Sequence, residues 1–142
     1  MTQSESFKQA AAHDNVLFPG LVAYSDLPHY LARFDVALLP FVLSEITLHI
    51  HPTKALEYLA SKTPVVSTPI PDVVKFYEGI VRISEAGASF VNAIEDALGD
   101  ESESAIERGF AMAKASSWDR MVQEMRSEFE GLLLASNEEL QE

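Results

Sequence analysis

The sequence predicts an α/β protein: a three-layer, Rossmann-like parallel sheet followed by C-terminal helices. Two observations carry this. Short apolar runs rich in β-branched residues, DVALLPF (35–41), PVVST (64–68) and GIVRIS (79–84), have the unbroken apolar character of strands buried on both faces. Between and after them lie segments with apolar residues at helical spacing, and strand–helix alternation is the pattern of a parallel sheet. The 142 residues suffice for one domain with a normal core.

Taken in order, residues 1–14 are expected to be flexible or to form a short helix. NVLFPG (15–20) reads as a short buried strand ended by Pro-Gly. In YSDLPHYLARF (24–34), Ser25 or Asp26 can cap a short helix on which Leu27, Tyr30, Leu31 and Phe34 share a face. DVALLPF is stopped by Pro40, and SEITLHIH (44–51) reads as an irregular connection. Pro52 suits a first helical turn, where its missing N–H costs nothing, and TKALEYLAS (53–61) follows as helix. PVVST and GIVRIS are further strands, giving three or four in all. SFVNAIEDALG (89–99) is a helix closed at Gly99, and two more helices follow over 102–116 and 117–135, with Ser117 as a candidate N-cap. The expected organisation is a single domain over 1–142, with an α/β core at 15–99 and C-terminal helices at 100–142.

Composition narrows the function classes. Hydrophobic residues make up 47% and charged residues 23%, which suits a globular protein rather than a disordered one. No apolar run reaches the length of a membrane span, and the polar N-terminus lacks the regions of a signal peptide. There are no cysteines, so disulfides and thiolate metal sites are excluded. These features point to the cytoplasm, with peripheral attachment at the inner membrane left open. The net charge of −12 excludes nucleic acid as a partner, which requires a basic footprint. An anionic small ligand is opposed by the overall field, but residues 49–62 hold His49, His51, Lys54 and Lys62 against the single acid Glu57.

In parallel sheets ligands bind at the carboxyl ends of the strands, which places the loops after Pro40, around 44–51 and after Thr68 on the functional rim. Lys54 lies in the first turn of a helix, where a cation opposes the dipole by a few tenths of a kcal/mol. It is either a solvated lysine or a group that meets a phosphate at the helix start. Glu57 can pair with Lys54, an i,i+3 pair of about 0.2–0.5 kcal/mol, or accept hydrogen bonds from a ribose diol. His49 and His51 alternate and can face one side of an extended segment. As metal ligands they lack a suitably spaced third partner except Glu45, so hydrogen bonding to the loop or to a phosphate is the better reading and no metal is expected. No nucleophile elbow, P-loop or G-x-G-x-x-G occurs. Trp118 reads as a core or helix-packing residue.

The ordered block LPHYLARFDVALLPF … SEITLHIHPTKALEYLASKTPVVSTPIPDV resembles the C-terminal half of GT-B-fold glycosyltransferases of the group 1 type, over roughly residues 15–130. The resemblance implies a domain that binds a nucleotide-diphosphate sugar. In it, Glu57 would hold the ribose hydroxyls and Lys54 would lie near the diphosphate. The 44–51 loop, with Glu45, His49 and His51, would line the pocket, together with Thr53 and Thr68. Transfer would rest on charge stabilisation of the departing diphosphate, with no cofactor and no catalytic residue on this half.

Departures from the family pattern qualify this expectation. Many members carry two glutamates in an E-x7-E arrangement, and the earlier position here is His49. The Asn before the proline is His51. The usual turn glycine is replaced within Ser61-Lys62-Thr63, so Lys62 must take a strained conformation or the turn must differ. An N-terminal acceptor domain and the first strands of the donor domain have no counterpart in the sequence. A sheet edge is therefore expected to be exposed, and self-association through it is open. The isolated chain is expected to be inactive. Two rival readings are a non-catalytic interaction module that keeps the fold, and half of a nucleotide-sugar epimerase-like enzyme.

Overall fold

A computed structural model describes residues 5–99 and 103–139. Seven α-helices and three strands follow one another as α1 (Glu5–Ala11), α2 (Leu27–Leu31), β1 (Ala37–Leu39), α3 (Lys54–Ala60), β2 (Val65–Ser67), α4 (Pro71–Tyr77), β3 (Arg82–Ile83), α5 (Ala88–Gly99), α6 (Glu103–Ala115) and α7 (Trp118–Glu139). Short 3-10 turns at Tyr24–Asp26 and Thr47–His49 interrupt the connections. The strands form one parallel sheet in the order β1-β2-β3, with Leu38 opposite Val66 and Val66 opposite Arg82. The expected α/β class and parallel sheet are therefore present.

Strand alternation divides the core into two layers on either side of the sheet. Ala37, Leu39 and Val65 point to one face, where they meet Ala55 and Leu59 of α3, Val73 and Tyr77 of α4, and Met112 and Ala113 of α6. Val66 points to the other face and meets Phe90, Ala93 and Ala97 of α5. All three residues of β2 are buried, as the continuous apolar run PVVST requires of a central strand. At β1 only alternate residues are buried: Leu38, on the α5 side, is 39% exposed.

Two expectations need correction, and one of the alternatives for the N-terminus is realised. Residues 15–20 form no strand: the segment is irregular and Leu17 is 85% exposed. An extended segment gains stability from a ladder partner and a covered face; among the described residues this segment joins no strand pairing, and Leu17 within it and Leu21 beside it face solvent. Trp118 is no core residue, because α7 packs little against the other elements and its indole is 79% exposed. Within 1–14, expected to be flexible or a short helix, α1 is formed. Ser117 does cap α7, its hydroxyl accepting from the Arg120 N–H at 3.4 Å. The C-terminal partner of Gly99 lies outside the described residues.

The turn after α3 replaces the expected glycine with Lys62 at φ 59°, in the left-handed region. The Thr63 N–H donates to Tyr58 O and the Lys62 N–H to Leu59 O, the paired bonds of a Schellman termination. A left-handed conformation costs an L-residue about 1–2 kcal/mol. The side chain offsets part of this, because Lys62 Nζ reaches Glu107 Oε1 of α6 at 2.6 Å and lies 4.8 Å from the centre of the Phe110 ring. The same turn is tied to α2: the Thr63 hydroxyl meets Ser61 Oγ at 2.8 Å and Leu31 O at 3.3 Å. Next to it α6 approaches α3 closely at Gly109, where a Cβ would lie 2.7 Å from Leu59 Cδ2 and 3.0 Å from Ile80 Cγ2.

Two stability predictions follow from this junction. Lys62→Gly relieves the backbone but loses both side-chain contacts, so chemical denaturation is expected to change by less than about 1 kcal/mol, whereas Lys62→Ala keeps the strain, loses the contacts and costs about 1 kcal/mol. Gly109→Ala is expected to destabilise by about 1 kcal/mol net, overpacking outweighing the gain in helix propensity. The same change at the uncrowded Gly131 of α7 is expected to be neutral or slightly stabilising.

Candidate functional site

Each strand ends on the same rim. β1 runs into Pro40 and the loop 41–51, β2 into Thr68-Pro69 and α4, and β3 into Ser84–Gly87 and α5. Hydroxyl groups build the first loop. The Thr47 hydroxyl donates to Val42 O at 2.7 Å, and its oxygen accepts from the Ser44 N–H at 2.7 Å. Thr68 binds the start of that loop to β2, its hydroxyl donating to Phe41 O at 2.8 Å. His51 closes the far end of the loop onto α4. Its Nδ1 lies 3.0 Å from Asp72 Oδ2 and its ring meets Phe76 edge-on at 5.7 Å.

Three cavities lie around this frame. A small one of about 170 Å³ is lined by Leu38, Leu39, Pro40, Phe41, Lys54 and Tyr58, where the end of β1 meets α3. A cleft of about 330 Å³ runs in the groove between α2 and α3, with Tyr24, Leu27 and Leu31 on one wall and Glu57, Ala60 and Ser61 on the other. A third of about 340 Å³ spans all three strand ends, from Pro40 past Thr68 to Glu85, Gly87 and Phe90.

The sequence-predicted residues fall into separate places. Lys54 and Glu57, one turn apart on α3, form no ion pair with each other among the described residues, and each opens into a different cavity. Among the described residues Glu57 is the one charged residue lining its cleft, which is otherwise apolar apart from the Tyr24 and Ser61 side chains. His49 ends a 3-10 turn rather than an extended segment, so strand alternation does not relate it to His51. Glu45 is exposed at the tip of the same loop. Thr53 precedes α3 without a side-chain cap bond. Thr68, only 3% exposed, uses its hydroxyl on the Leu39 carbonyl of β1 and the Phe41 carbonyl of the loop after it, so its role in the fold is to hold the loop. Among the described residues no three His, Asp or Glu side chains are grouped to hold a metal.

Two residues beside the predicted ones come from the tertiary structure. Tyr58 shares the small cavity with Lys54. Burial, and secondarily the Glu57 charge, push its phenol above the ordinary value, so it stays a neutral hydrogen-bond donor. Its i,i+4 spacing from Lys54 is the signal that could have found it. Tyr24 brings an aromatic ring to the Glu57 cleft from a distant loop, and no local pattern announces that.

Residues 2–100 match the family described as glycosyl transferases group 1. The chain is 28% identical over 120 residues to TuaH of Bacillus subtilis (strain 168), which carries the name of a candidate glycosyltransferase of teichuronic acid biosynthesis. That alignment covers 80% of this chain and 30% of TuaH, so the chain spans less than a third of that relative's length. No solved structure matches. No helix among the described residues is long and apolar enough to cross a membrane. Since the family match runs from α1 through the rim loops and α3 to the end of α5, the chain belongs to the group 1 glycosyltransferases.

Proposed function

We propose that the chain forms the donor side of a group 1 glycosyltransferase and binds a nucleoside-diphosphate sugar. The observation that carries this reading is the separation of Lys54 from Glu57: two opposite charges one helical turn apart leave each other unpaired and face different cavities. Glu57 accepts hydrogen bonds from the ribose hydroxyls, and the α2–α3 cleft with Tyr24 takes the apolar faces of the nucleoside. Lys54 and the Tyr58 hydroxyl meet the diphosphate at the end of β1, with His51 and Thr53 at the entrance to α3. His49 and Glu45 line the mobile-ligand side of the loop, and Thr68 keeps that loop in place. Charge neutralisation at the leaving diphosphate is the catalytic contribution of such a half-site. The acceptor and its binding domain lie on another part of the enzyme; the product in this reading is a cell-surface polysaccharide or glycolipid, and the relative's name places that protein in teichuronic acid biosynthesis.

A second reading, a non-catalytic module, draws on one observation: His49 stands where an E-x7-E arrangement has its first acid, and its exposed side chain makes no hydrogen bond among the described residues.

Calorimetry with UDP, GDP and dTDP and with their parent nucleosides separates the roles. Charge-assisted hydrogen bonds contribute about 1.5–3 kcal/mol, so Glu57→Ala is expected to weaken nucleoside and nucleotide alike by about 10- to 100-fold. Lys54→Ala is expected to weaken the diphosphates about tenfold and leave the nucleosides unchanged. Absence of binding to all three diphosphates would favour the non-catalytic module. The 142-residue chain alone is expected to transfer no sugar; turnover by it would contradict the half-site.

A further inference from the structure

The contact between His51 and Asp72 joins two strand ends across the rim. His51 closes the loop after β1, just before the first turn of α3, and Asp72 lies in the first turn of α4, just after β2. The His51 side chain is 49% exposed. An ion pair so open to water adds little stability, and the loop it closes is already held by the Thr47 and Thr68 hydroxyls. What the contact settles is the ring. An ionised carboxylate only accepts, so the hydrogen sits on Nδ1, 3.0 Å from Asp72 Oδ2. The edge-on contact with Phe76 at 5.7 Å restrains the ring as well. Nε2 is left without a hydrogen-bond partner among the described residues. A neutral ring held in this way offers only a lone pair at Nε2; once it takes up a proton it offers an N–H donor and a positive charge.

We propose that Asp72 is a positioning residue for a proton-coupled phosphate contact. It holds His51 so that the diphosphate of a bound donor draws a proton onto the ring and accepts a hydrogen bond from Nε2. This rests on the chain being the donor side of the enzyme. The proton comes from solvent, lands on Nε2 and returns to solvent when the diphosphate leaves, and no covalent bond between heavy atoms changes. Of the charged groups on the elements that meet the ring, Asp72 is in contact with it. Lys75 of α4 lies 4.8 Å from the centre of the Phe76 ring, Lys54 follows in the first turn of α3, and His49 precedes His51 in the loop. A bound diphosphate adds negative charge beside this group of cations and favours the cationic ring. Lys54 supplies a fixed charge to the same anion, whereas His51 supplies one that is coupled to binding.

Calorimetry on the 142-residue chain tests this, using whichever of UDP, GDP and dTDP binds best and its parent nucleoside, in buffers of different ionisation enthalpy. The diphosphate is expected to bind with net proton uptake and the nucleoside with none. His51→Ala is expected to weaken the diphosphate about tenfold, abolish the uptake and leave the nucleoside unchanged, which also shows that the fold is intact. Asp72→Ala is expected to weaken the diphosphate severalfold, yet to add nothing when His51 is already alanine, because it acts through the ring. Asp72→Asn keeps the size and an acceptor, and is expected to retain the affinity that Asp72→Ala loses. Diphosphate binding without proton uptake, or with uptake that survives His51→Ala, would overturn the proposal and leave the donor-side reading standing. Equal loss of nucleoside and diphosphate in His51→Ala would mark a purely structural contact and overturn it too. Absence of binding by all three diphosphates would overturn both.

Discussion

Val65 and Val66 are adjacent in β2, point to opposite sides of the sheet, and are both withdrawn from water. Each side therefore needs its own helical cover, and α3, α4 and α6 take one face while α5 takes the other. Burial of this kind returns about 25 cal/mol per Å² of apolar surface, more than any surface ion pair in the molecule provides. The parallel pairing to β1 and β3 follows, because strands joined through crossover helices must run the same way. Every functional loop inherits its place from that arrangement: all three strands deliver their carboxyl ends to one rim.

Helix α3 converts the rim into distinct sites. Its start is held by the buried Pro52 and by the His51–Asp72 contact, and its end by the Schellman turn at Lys62 and the Thr63 link to α2. Its inward face is closed by Ala55 and Leu59, with Gly109 of α6 set against Leu59. A helix fixed along its length presents Lys54, Glu57 and Tyr58 in set directions. Positions i and i+3 lie about 300° apart around the axis, so Lys54 and Glu57 sit on neighbouring ridges and can serve different cavities. The acid of the α2–α3 cleft and the cation at the end of β1 are thereby kept apart, as the proposed donor with its diol and diphosphate requires.

The excess of acid, −12 over the whole chain, is spread unevenly. Much of it lies on α5 to α7, where Arg120–Glu124 and Arg126–Glu130 pairs organise the outer face of α7. At the start of α3, Lys54 makes no ion pair among the described residues, so an anion meets a cation there against the overall charge.

The sequence by itself determined the parts whose signals are local. β1 and β2 show as apolar runs, α3 as a proline-started helix, α5 to α7 as periodic segments, and Lys62 as the odd residue in a turn that wants glycine. The pattern PTKALEYLASKTPVVST also sufficed to point to the family. Tertiary structure alone decided the rest. Residues 15–20 have strand composition but no ladder partner, and a strand exists only when paired. The stretch 69–78, punctuated by prolines, becomes α4 because Pro71 falls at its first turn and Val73 and Tyr77 find the core. Trp118 has the character of a buried residue yet faces solvent, because burial depends on a neighbour that periodicity does not name. Whether Lys54 and Glu57 pair with each other or face separate cavities was open in the sequence, and the packing of α3 against α6 and β2, which fixes its rotation, decided it.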